Sequence, residues 1–489
     1  LMLSGIGATL GLLFAGWSTR ALVAQLSTSV NRVYLDLSLD WRVLAFTAGV
    51  AVGTALVFGT APAWRHARTA PIDAMKEQTR GSVGDRRMGL SGGLVISQVA
   101  LSVVIVVAAG LFVRTFEKLA TMPLGFDSER VLVVNANLSR TRAQAAERVT
   151  IVERLAHEVA GIPGVERAAA SMTTPVGGFG MVDSIRVPGV TPSLVPMVDG
   201  KLGPQSALAR VITPGWFATY GIALRAGRDV RESDVKESPA VIVVNESFAR
   251  KFLSGQQPIG ATVAFERGRD AAVIKTVVGI VGDSIYQSLR EDAAPVEYVP
   301  MTQLDWGPIA GEVSVSARAP AQMLVPLERS VAAALTGLDS DLTFTFRRLR
   351  DQVSESLVQE RLVAVLSRFF GLLALLLAGL GLYGVTSYAI TRRRMEIGVR
   401  MALGAAPAGV MRLVMARVSV LVGVGVMLGA GLSFWATQFV RSLLYGLEPR
   451  DPVTLATSAV TLAVVGTVAG GLPAWRASRI DPAEVLRES

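Results

Sequence analysis

The sequence of 489 residues contains no cysteine and only two histidines. The lack of cysteine excludes a disulfide framework, a thiolate metal site and a cysteine nucleophile. His66 and His157 lie far apart in the sequence and do not form a histidine-rich metal cluster. No Gly-x-x-x-x-Gly-Lys-Ser/Thr pattern is present, so no P-loop binds a nucleotide phosphate. We therefore expect no cofactor, no metal and no catalytic constellation, which argues against an enzyme.

Six long stretches of the chain contain no charged residue. Apolar residues make up 51% of the sequence, and the mean hydropathy is +0.46. A membrane-crossing helix needs roughly 20 apolar residues. Without ionisable residues inside these stretches, a proton relay or an ion pathway is not expected. The stretches predict six membrane spans: Leu1–Thr19, Val43–Trp64, Gly89–Val113, Phe369–Ile390, Val418–Val440 and Pro452–Ala474.

The net charge of +9 has two explanations, nucleic-acid binding or membrane topology. Arginine clusters flank the apolar runs, as the positive-inside rule requires of cytoplasmic loops. Basic residues do not alternate with aromatic ones as they do on surfaces that stack bases. We therefore expect a lipid bilayer as partner and no nucleic acid. For Leu1–Thr19 a signal-peptide core is the alternative, but no basic leader precedes it and no convincing cleavage site follows.

The region between Arg114 and Arg368 is mixed in character and predicts a water-soluble α+β domain. A helix is expected over Thr141–Ala160, which Gly161 and Pro163 end. Apolar residues at helical spacing from Leu349 onward predict a helix that continues into the fourth span, with Arg114–Leu124 as its partner in a stalk. Strands are expected at Val131–Leu138, Val165–Ser171, Val241–Val244, Ala261–Phe265, Val273–Val281, Val296–Tyr298, Glu312–Ser316 and Leu342–Phe346.

Two features of this region could suggest a binding or catalytic site, but neither is expected to be one. The stretch from Gly279 to Gly282 comes after a predicted strand, but its glycines lack the spacing of a phosphate-binding loop. The acidic side chains of Asp283, Glu291 and Asp292 are expected to be solvated loop charges.

A basic loop, Thr391–Met411, separates the fourth and fifth spans. Its arginines place it in the cytoplasm. Apolar residues at Ile397, Met401 and Ala405 recur at helical spacing, which predicts a short amphipathic helix beneath the membrane. Periodicity alone equally allows a basic loop that only sets topology.

The segment Arg394-Met-Glu-Ile-Gly-Val-Arg-Met-Ala-Leu-Gly-Ala405 resembles the motif of FtsX-like permeases, the membrane subunits of ABC transporters of the macrolide-exporter and lipoprotein-release type. The resemblance implies a cytoplasmic coupling helix that docks on a separate ABC ATPase subunit. The residues that it assigns to this contact are Arg394, Glu396, Ile397, Gly398, Arg400, Ala402, Leu403, Gly404 and Ala405.

Three stretches of the soluble region resemble the two-lobed extracytoplasmic domain of the same family. They are Thr213–Phe217 with Gly221 and Gly227-Arg228, Val244–Ala249 with Pro258–Gly260, and Val278–Asp283. The resemblance implies a multi-pass α-helical protein of the bacterial inner membrane. A large α+β domain of MacB type would be inserted between its membrane helices and lie outside the cytoplasm.

An internal repeat supports a duplicated architecture. Pro62-Ala-Trp-Arg65 recurs as Pro473-Ala-Trp-Arg476 at an offset of 411 residues, and the charged residues that follow match as well. A period this long indicates duplicated domains. We therefore expect residues 1–80 to be the last two membrane helices and tail of a first unit, and a second permease unit to be present in the native chain or in a dimer. The expected domains are 1–80, a linker and helix over 81–114, an extracytoplasmic domain with stalk over 115–360, and an FtsX-like permease domain over 361–489.

Two functions fit this architecture. An export or efflux permease would transmit ATP-driven movement to the external domain, with a periplasmic adaptor or an outer-membrane channel as further partner. An adaptor subunit would use the same movement to regulate an external partner such as a cell-wall hydrolase, without transport. Co-purified partners distinguish the two functions.

The predicted topology places Ser184 outside the cell membrane and Ser489 in the cytoplasm. Because the chain has no cysteine, Ser184→Cys and Ser489→Cys give single labelling sites. We expect an impermeant thiol reagent to label Ser184→Cys in intact cells and Ser489→Cys only after lysis. The reverse pattern would contradict the orientation.

Overall fold

The computed structural model describes most of the chain outside its first linker. The described residues are 2–26, 41–42, 44–53, 56, 90–139, 141, 143–177, 181–186, 197–198, 201–266, 272–286, 289–290, 293–304, 311–336, 342–392, 394, 397, 399, 401, 403, 406–440 and 451–479.

Helices and strands divide the described chain as follows. We label the helices α1 Met2–Leu26, α2 Leu90–Thr121, α3 Ala145–Ala160, α4 Trp216–Tyr220, α5 Glu246–Phe252, α6 Leu324–Thr336, α7 Leu349–Ser356, α8 Val358–Arg392, α9 Pro407–Val440 and α10 Pro452–Ala477. The strands are β1 Val131–Asn137, β2 Arg167–Ser171, β3 Met181–Arg186, β4 Met197–Val198, β5 Lys201–Leu202, β6 Ser206–Ile212, β7 Leu224–Gly227, β8 Val241–Asn245, β9 Thr262–Glu266, β10 Val273–Val281, β11 Val296–Pro300, β12 Glu312–Arg318 and β13 Thr343–Arg348.

The chain forms two compact units, one from Leu1–Lys118 with Val358–Ser489 and one from Leu119–Leu357. The first unit is helical. Four of its helices are long and apolar enough to cross a membrane: Gly92–Thr121, Val358–Arg392, Met411–Ala436 and Pro452–Ala477. They cover most of each of the last four spans expected from the sequence. The fold is therefore that of a multi-pass helical membrane protein with an α+β domain inserted between its helices.

The first two expected spans are only partly covered by described apolar helices. Helix α1 covers the first, but its apolar part, Gly5–Ser18, is shorter than a full span. Of the second, Leu44–Gly53 is an apolar helix, and most of the residues after it lie outside the described part of the chain. The six-span topology stays a prediction at these two positions.

The second unit contains an open sheet whose core lies between strands and helices. The strand order is β13-β1-β12-β2-β6, and β1 pairs antiparallel with both β12 and β13. Helices α3 and α6 cover one face, where Leu155, Val159 and Val331 are buried against Val134 and Val315. A continuous apolar strand such as β1 suits this central position because both of its faces are buried.

The same unit contains a closed six-stranded barrel. Strand β6 pairs with β3, β3 with β9, β9 with β10, β10 with β8, β8 with β11, and β11 again with β6. Closure pairs both edges of each strand over part of its length, which removes the exposed edges that promote aggregation. Alternate side chains fill the interior, among them Ile242, Phe265, Val277 and Val299.

Helix α3 begins later than the sequence predicts, and the helix expected from Leu349 onward is interrupted. The Glu147 carboxylate accepts a hydrogen bond from the Gln144 N–H at 2.9 Å, so the first turn forms at Ala145 and not at Thr141. At Leu357 the backbone leaves helical geometry between α7 and α8. The prediction of one continuous helix from Leu349 into the fourth span is therefore wrong.

The Asp283 carboxylate is an organising acceptor, and the expectation of a solvated loop charge at this position is wrong. It accepts hydrogen bonds from Asn245 Nδ2 at 2.7 Å, from Ser247 N at 2.8 Å and Oγ at 2.8 Å, and from Arg250 at 2.6 Å. The Asn245 Oδ1 atom accepts from the N–H groups of Phe248 and Val296. These hydrogen bonds join two of the stretches that resemble the family, Val244–Ala249 and Val278–Asp283. Glu291 and Asp292 lie outside the described residues.

Gly279 has a packing role. A methyl group there would lie 2.1 Å from the carbonyl oxygen of Arg228, where β7 and β10 meet beside Gly227. The backbones approach too closely for any side chain, which explains the glycine without a phosphate site.

Replacing Asp283 tests the importance of this acceptor. We expect Asp283→Asn to lower the free energy of unfolding by about 2 kcal/mol, because an amide replaces one acceptor oxygen by a donor that faces other donors. Thermal unfolding of the purified chain measures the change. The matched control is Glu129→Gln, which removes an exposed ion pair with Arg350 and costs at most about 1 kcal/mol. Equal effects of the two variants would contradict the role of Asp283.

Candidate functional site

Of the described residues between α8 and α9, four are helical, Leu403 lies in a turn and Ala406 has no regular secondary structure. Arg394, Ile397, Val399 and Met401 have helical backbone, and the N–H of Leu403 donates to the carbonyl oxygen of Val399 at 3.0 Å. Of the predicted site residues, Arg394 is exposed, Ile397 is half-buried and Leu403 is exposed. Glu396, Gly398, Arg400, Ala402, Gly404 and Ala405 lie outside the described residues, so their contacts stay a prediction.

Leu403 has the most exposed large apolar side chain among the described residues of this segment. It is 83% exposed, and no other large apolar side chain in the described parts of the chain is more exposed. Val399, one helical turn earlier, is 40% exposed. Two apolar side chains four residues apart face the same side of a helix. Val399 and Leu403 thus form a small exposed apolar surface between basic flanks.

Helix α9 begins directly after this segment, and two of its glycines bring it close to α2. A methyl group at Gly429 would lie 2.5 Å from the Cβ atom of Val103 in α2, and one at Gly425 would lie 2.7 Å from Val99. The four-residue spacing of Gly425 and Gly429 places both on the face of α9 that lies against α2. Small residues permit this backbone proximity in membranes.

Helix α9 also packs against α10. In this contact the glycines belong to α10 and the β-branched side chains belong to α9. A methyl group at Gly466 or at Gly470 would lie 2.8 Å from Val422 or Val418 respectively. Helix α9 is therefore in close contact with α2 at Gly425 and Gly429 and with α10 at Gly466 and Gly470.

The glycines of α8 are more varied. Gly381 lies against Gln98 and Gly379 against Val465, whereas a methyl group at Gly384 would meet no atom within 4 Å. Gln98 also donates from Nε2 to the carbonyl oxygen of Leu377 at 2.6 Å. Close packing therefore involves Gly379 and Gly381 but not Gly384.

The repeated Pro-Ala-Trp-Arg motif has a structural role at the end of α10. Arg476 donates to the hydroxyl oxygen of Tyr383 in α8 at 2.9 Å, and the guanidinium group of Arg479 lies 4.2 Å from the centre of the Trp475 ring. Pro473 and Ala474 are buried. The motif therefore fastens the end of α10 to α8, the helix that precedes residues 393–406.

An ion pair links α2 and α10 at the opposite end of the bundle. Arg114 donates to the Asp451 carboxylate and, at 3.2 Å, to Thr454 Oγ1. Asp451 is the N-cap of α10 and accepts from the Thr454 N–H at 3.0 Å. The sequence did not predict this pair, because Arg114 and Asp451 lie 337 residues apart in the chain.

Two family models match the chain, and several curated proteins are similar to it. The FtsX-like permease C-terminal model matches residues 368–482, and the MacB-like periplasmic core domain model matches residues 93–365. The macrolide export ATP-binding/permease protein MacB of Neisseria gonorrhoeae is 25% identical over 283 residues, which cover 56% of this chain and 42% of that protein. The protein of the same name from Hahella chejuensis is 25% identical over 336 residues, 66% of this chain and 50% of that protein. The chain thus spans half or less of the length of these relatives.

Solved structures similar to the chain are those of isolated external regions. The periplasmic region of MacB from Actinobacillus actinomycetemcomitans has 17% identity and a TM-score of 0.32, and covers 49% of this chain and 97% of that one. The extracellular domain of the noncanonic ABC-type transporter YknZ from Gram-positive bacteria has 14% identity and a TM-score of 0.28, and covers 44% of this chain and 99% of that one.

Two glycines of α9 test whether its packing is tight. We expect Gly429→Ala to lower the free energy of unfolding by about 1–3 kcal/mol, because its methyl group would overlap Val103. The matched control, Gly431→Ala, introduces the same residue on the same helix where no atom lies within 4 Å. Thermal unfolding in detergent measures both variants, and equal melting temperatures would show that the contact with α2 is loose.

Proposed function

The chain belongs to the family of ABC transporter permeases that carry a MacB-like periplasmic core domain and an FtsX-like permease domain, and from this membership we propose that it transmits movement from a cytoplasmic ATPase to its external unit. Membership makes it a multi-pass protein of the inner membrane with an extracytoplasmic domain and an ABC ATPase as partner. The transmission of movement, its external partners and its substrate are the proposal.

One observation carries this proposal. An exposed apolar surface at Val399 and Leu403 lies next to the start of α9, and close contacts at glycines join α9 to α2 and α10. A surface that docks on a moving partner needs an anchor and a rigid continuation, and these residues supply both. In our proposal Leu403 is the anchor, and Arg394, Glu396 and Arg400 add charge-assisted hydrogen bonds to the ATPase. The small residues Gly398, Ala402, Gly404 and Ala405 allow close approach.

The membrane spans support a substrate path outside the bilayer. The sequence has no Asp, Glu, Lys, Arg or His between Leu94 and Val113, Phe369 and Thr391, Val418 and Val440, or Pro452 and Trp475. A polar tunnel for a charged substrate needs such residues. We therefore propose export or efflux in which the external unit handles the substrate, together with a periplasmic adaptor or an outer-membrane channel. The export of macrolides is part of the relatives' names, and the class of substrate for this chain stays open.

Co-purification from cells separates export from regulation. Recovery of a periplasmic adaptor or an outer-membrane channel with the chain supports export. Recovery of a cell-wall hydrolase, with no effect of gene deletion on efflux, supports the adaptor function instead. Both outcomes retain the cytoplasmic ATPase.

Three substitutions test the coupling segment. We expect Leu403→Asp, Glu396→Lys and Gly404→Trp each to reduce the ATP turnover that the permease stimulates in its ATPase by roughly tenfold, since loss of an interface anchor costs about 1–3 kcal/mol. Because Leu403 is 83% exposed, Leu403→Asp should leave the melting temperature of the permease unchanged. The control is Leu224→Asp, at a 45% exposed leucine of the external unit. Unchanged stimulation by all three variants would leave the segment as a topology signal.

A further inference from the structure

Three ionisable residues occupy the interior of the six-stranded barrel. Asp183 comes from β3, Lys275 from β10 and Glu297 from β11. On each strand, the residue two positions later faces the same way and is a buried apolar residue of the barrel interior. The exposed fractions of their side chains are 8%, 3% and 0%. Charged groups are seldom buried this deeply unless they are paired, because transfer from water costs several kcal/mol for each ion.

One ammonium group serves two carboxyl groups in this cluster. Lys275 Nζ lies 3.2 Å from Glu297 Oε2 and 3.8 Å from Asp183 Oδ2, and it also lies 4.4 Å from the centre of the Phe265 ring. Glu297 Oε1 is buried and receives no hydrogen bond from any described group. An ionised carboxylate would leave this oxygen without a donor in an apolar interior, which is the costliest arrangement of such a group.

The remaining neighbours of Glu297 supply no charge. Strand β6 contributes Ala207 and Ala209, β8 contributes Ile242 and Val244, β9 contributes Val263 and Phe265, and α5 contributes Phe248. The described charged groups that act on Glu297 are Lys275 and Asp183. A carboxyl group in contact with another carboxyl group retains a proton more strongly than one that stands alone.

We propose that the barrel interior is a proton-binding site in which Glu297 is protonated at neutral pH and directs its proton toward Asp183, and that release of this proton at alkaline pH loosens the barrel. The proton then satisfies both the orphaned oxygen of Glu297 and the adjacent carboxylate. Lys275 balances the single negative charge that is left on the two carboxyl groups. Deprotonation places a second negative charge beside the first with no additional cation on Glu297.

The titration of Glu297 agrees with this arrangement. Burial raises the pKa of Glu297 well above its ordinary value, the Asp183 carboxyl raises it further, and Lys275 opposes both effects. A carboxyl group whose pKa is higher in the folded state stabilises the fold fully below the unfolded pKa, about 4.3. This stabilisation is lost as the pH rises toward and through the folded-state pKa. The barrel is therefore expected to be most stable in acid and less stable in alkali.

Strand β11 connects this proton site with the rest of the external unit. Glu297 and Val299 face the barrel interior, while Val296 and Tyr298 face a second core that includes Trp216 and Leu349. Leu349 is the first residue of α7, the last helix of the external unit before α8. A change in the barrel is thus expected to reach α7, so external pH can adjust the stiffness of the unit. This inference does not depend on the coupling segment or on an ATPase.

The isosteric substitution Glu297→Gln tests the proposal, because the amide mimics the protonated acid at every pH. For the full chain in detergent, we expect the melting temperature of the wild-type external unit to fall between pH 5 and alkaline conditions on the order of pH 9. Glu297→Gln should match the wild type in acid and exceed it in alkali. The control Glu129→Gln, at an exposed ion pair, should keep the wild-type pH dependence. If Glu297→Gln instead lowers the melting temperature equally at all pH values, Glu297 is an ionised structural partner of Lys275 and the proposal is wrong.

Infrared spectroscopy gives a second reading that does not depend on stability. At neutral pH the wild type should show the carbonyl band of a protonated carboxylic acid, and Glu297→Gln should lack it. Asp183→Asn should move the disappearance of this band to lower pH, by on the order of one unit or more, because the neighbouring negative charge is removed. Absence of a Glu297-dependent band at neutral pH would overturn the proposal.

Discussion

The approach of α9 to the helices on either side of it is the contact on which the membrane unit depends. At Gly425 and Gly429 the α9 backbone lies against Val99 and Val103 of α2, and α10 offers its own glycines to Val418 and Val422 of α9. Lipid supplies no hydrophobic force between helices, so van der Waals contact of this kind holds them together. Closely packed interiors have low compressibility and transmit strain, which is the property that the proposed transmission of movement requires.

The external unit, in contrast to the apolar contacts of the membrane unit, holds polar groups in fixed positions inside apolar surroundings. Asp283 collects four hydrogen bonds from residues around the start of α5, and the barrel encloses Asp183, Lys275 and Glu297. Buried polar groups fix one arrangement when all are satisfied and become costly when one is not. The external unit is therefore expected to respond to protonation, and the glycine-packed bundle to mechanical load.

The sequence predicted much of the fold because long apolar runs and β-branched strands are local signals. It predicted the last four spans and the strand at Val273–Val281 with its bounds, but it missed β3, β4, β5, β6 and β7. Strand β6 contains Arg210 among seven buried residues, and no alternation reveals it. The barrel cluster was missed because Lys275 and Glu297 each interrupt an apolar strand, and only strand register shows that they meet. The coupling segment was proposed from its motif, and six of its nine residues lie outside the described part of the chain.

Direct observation of movement in the external unit on ATP binding tests the central claim. Ile274 of the external unit is 63% exposed and Val453 of α10 is 52% exposed. Because the chain has no cysteine, Ile274→Cys with Val453→Cys gives one specific pair of spin labels. We expect the distance distribution between the labels to shift when a non-hydrolysable ATP analogue is added to the permease reconstituted with the ABC ATPase that co-purifies with it. An identical distribution with and without the nucleotide, in a complex that hydrolyses ATP, would contradict the account.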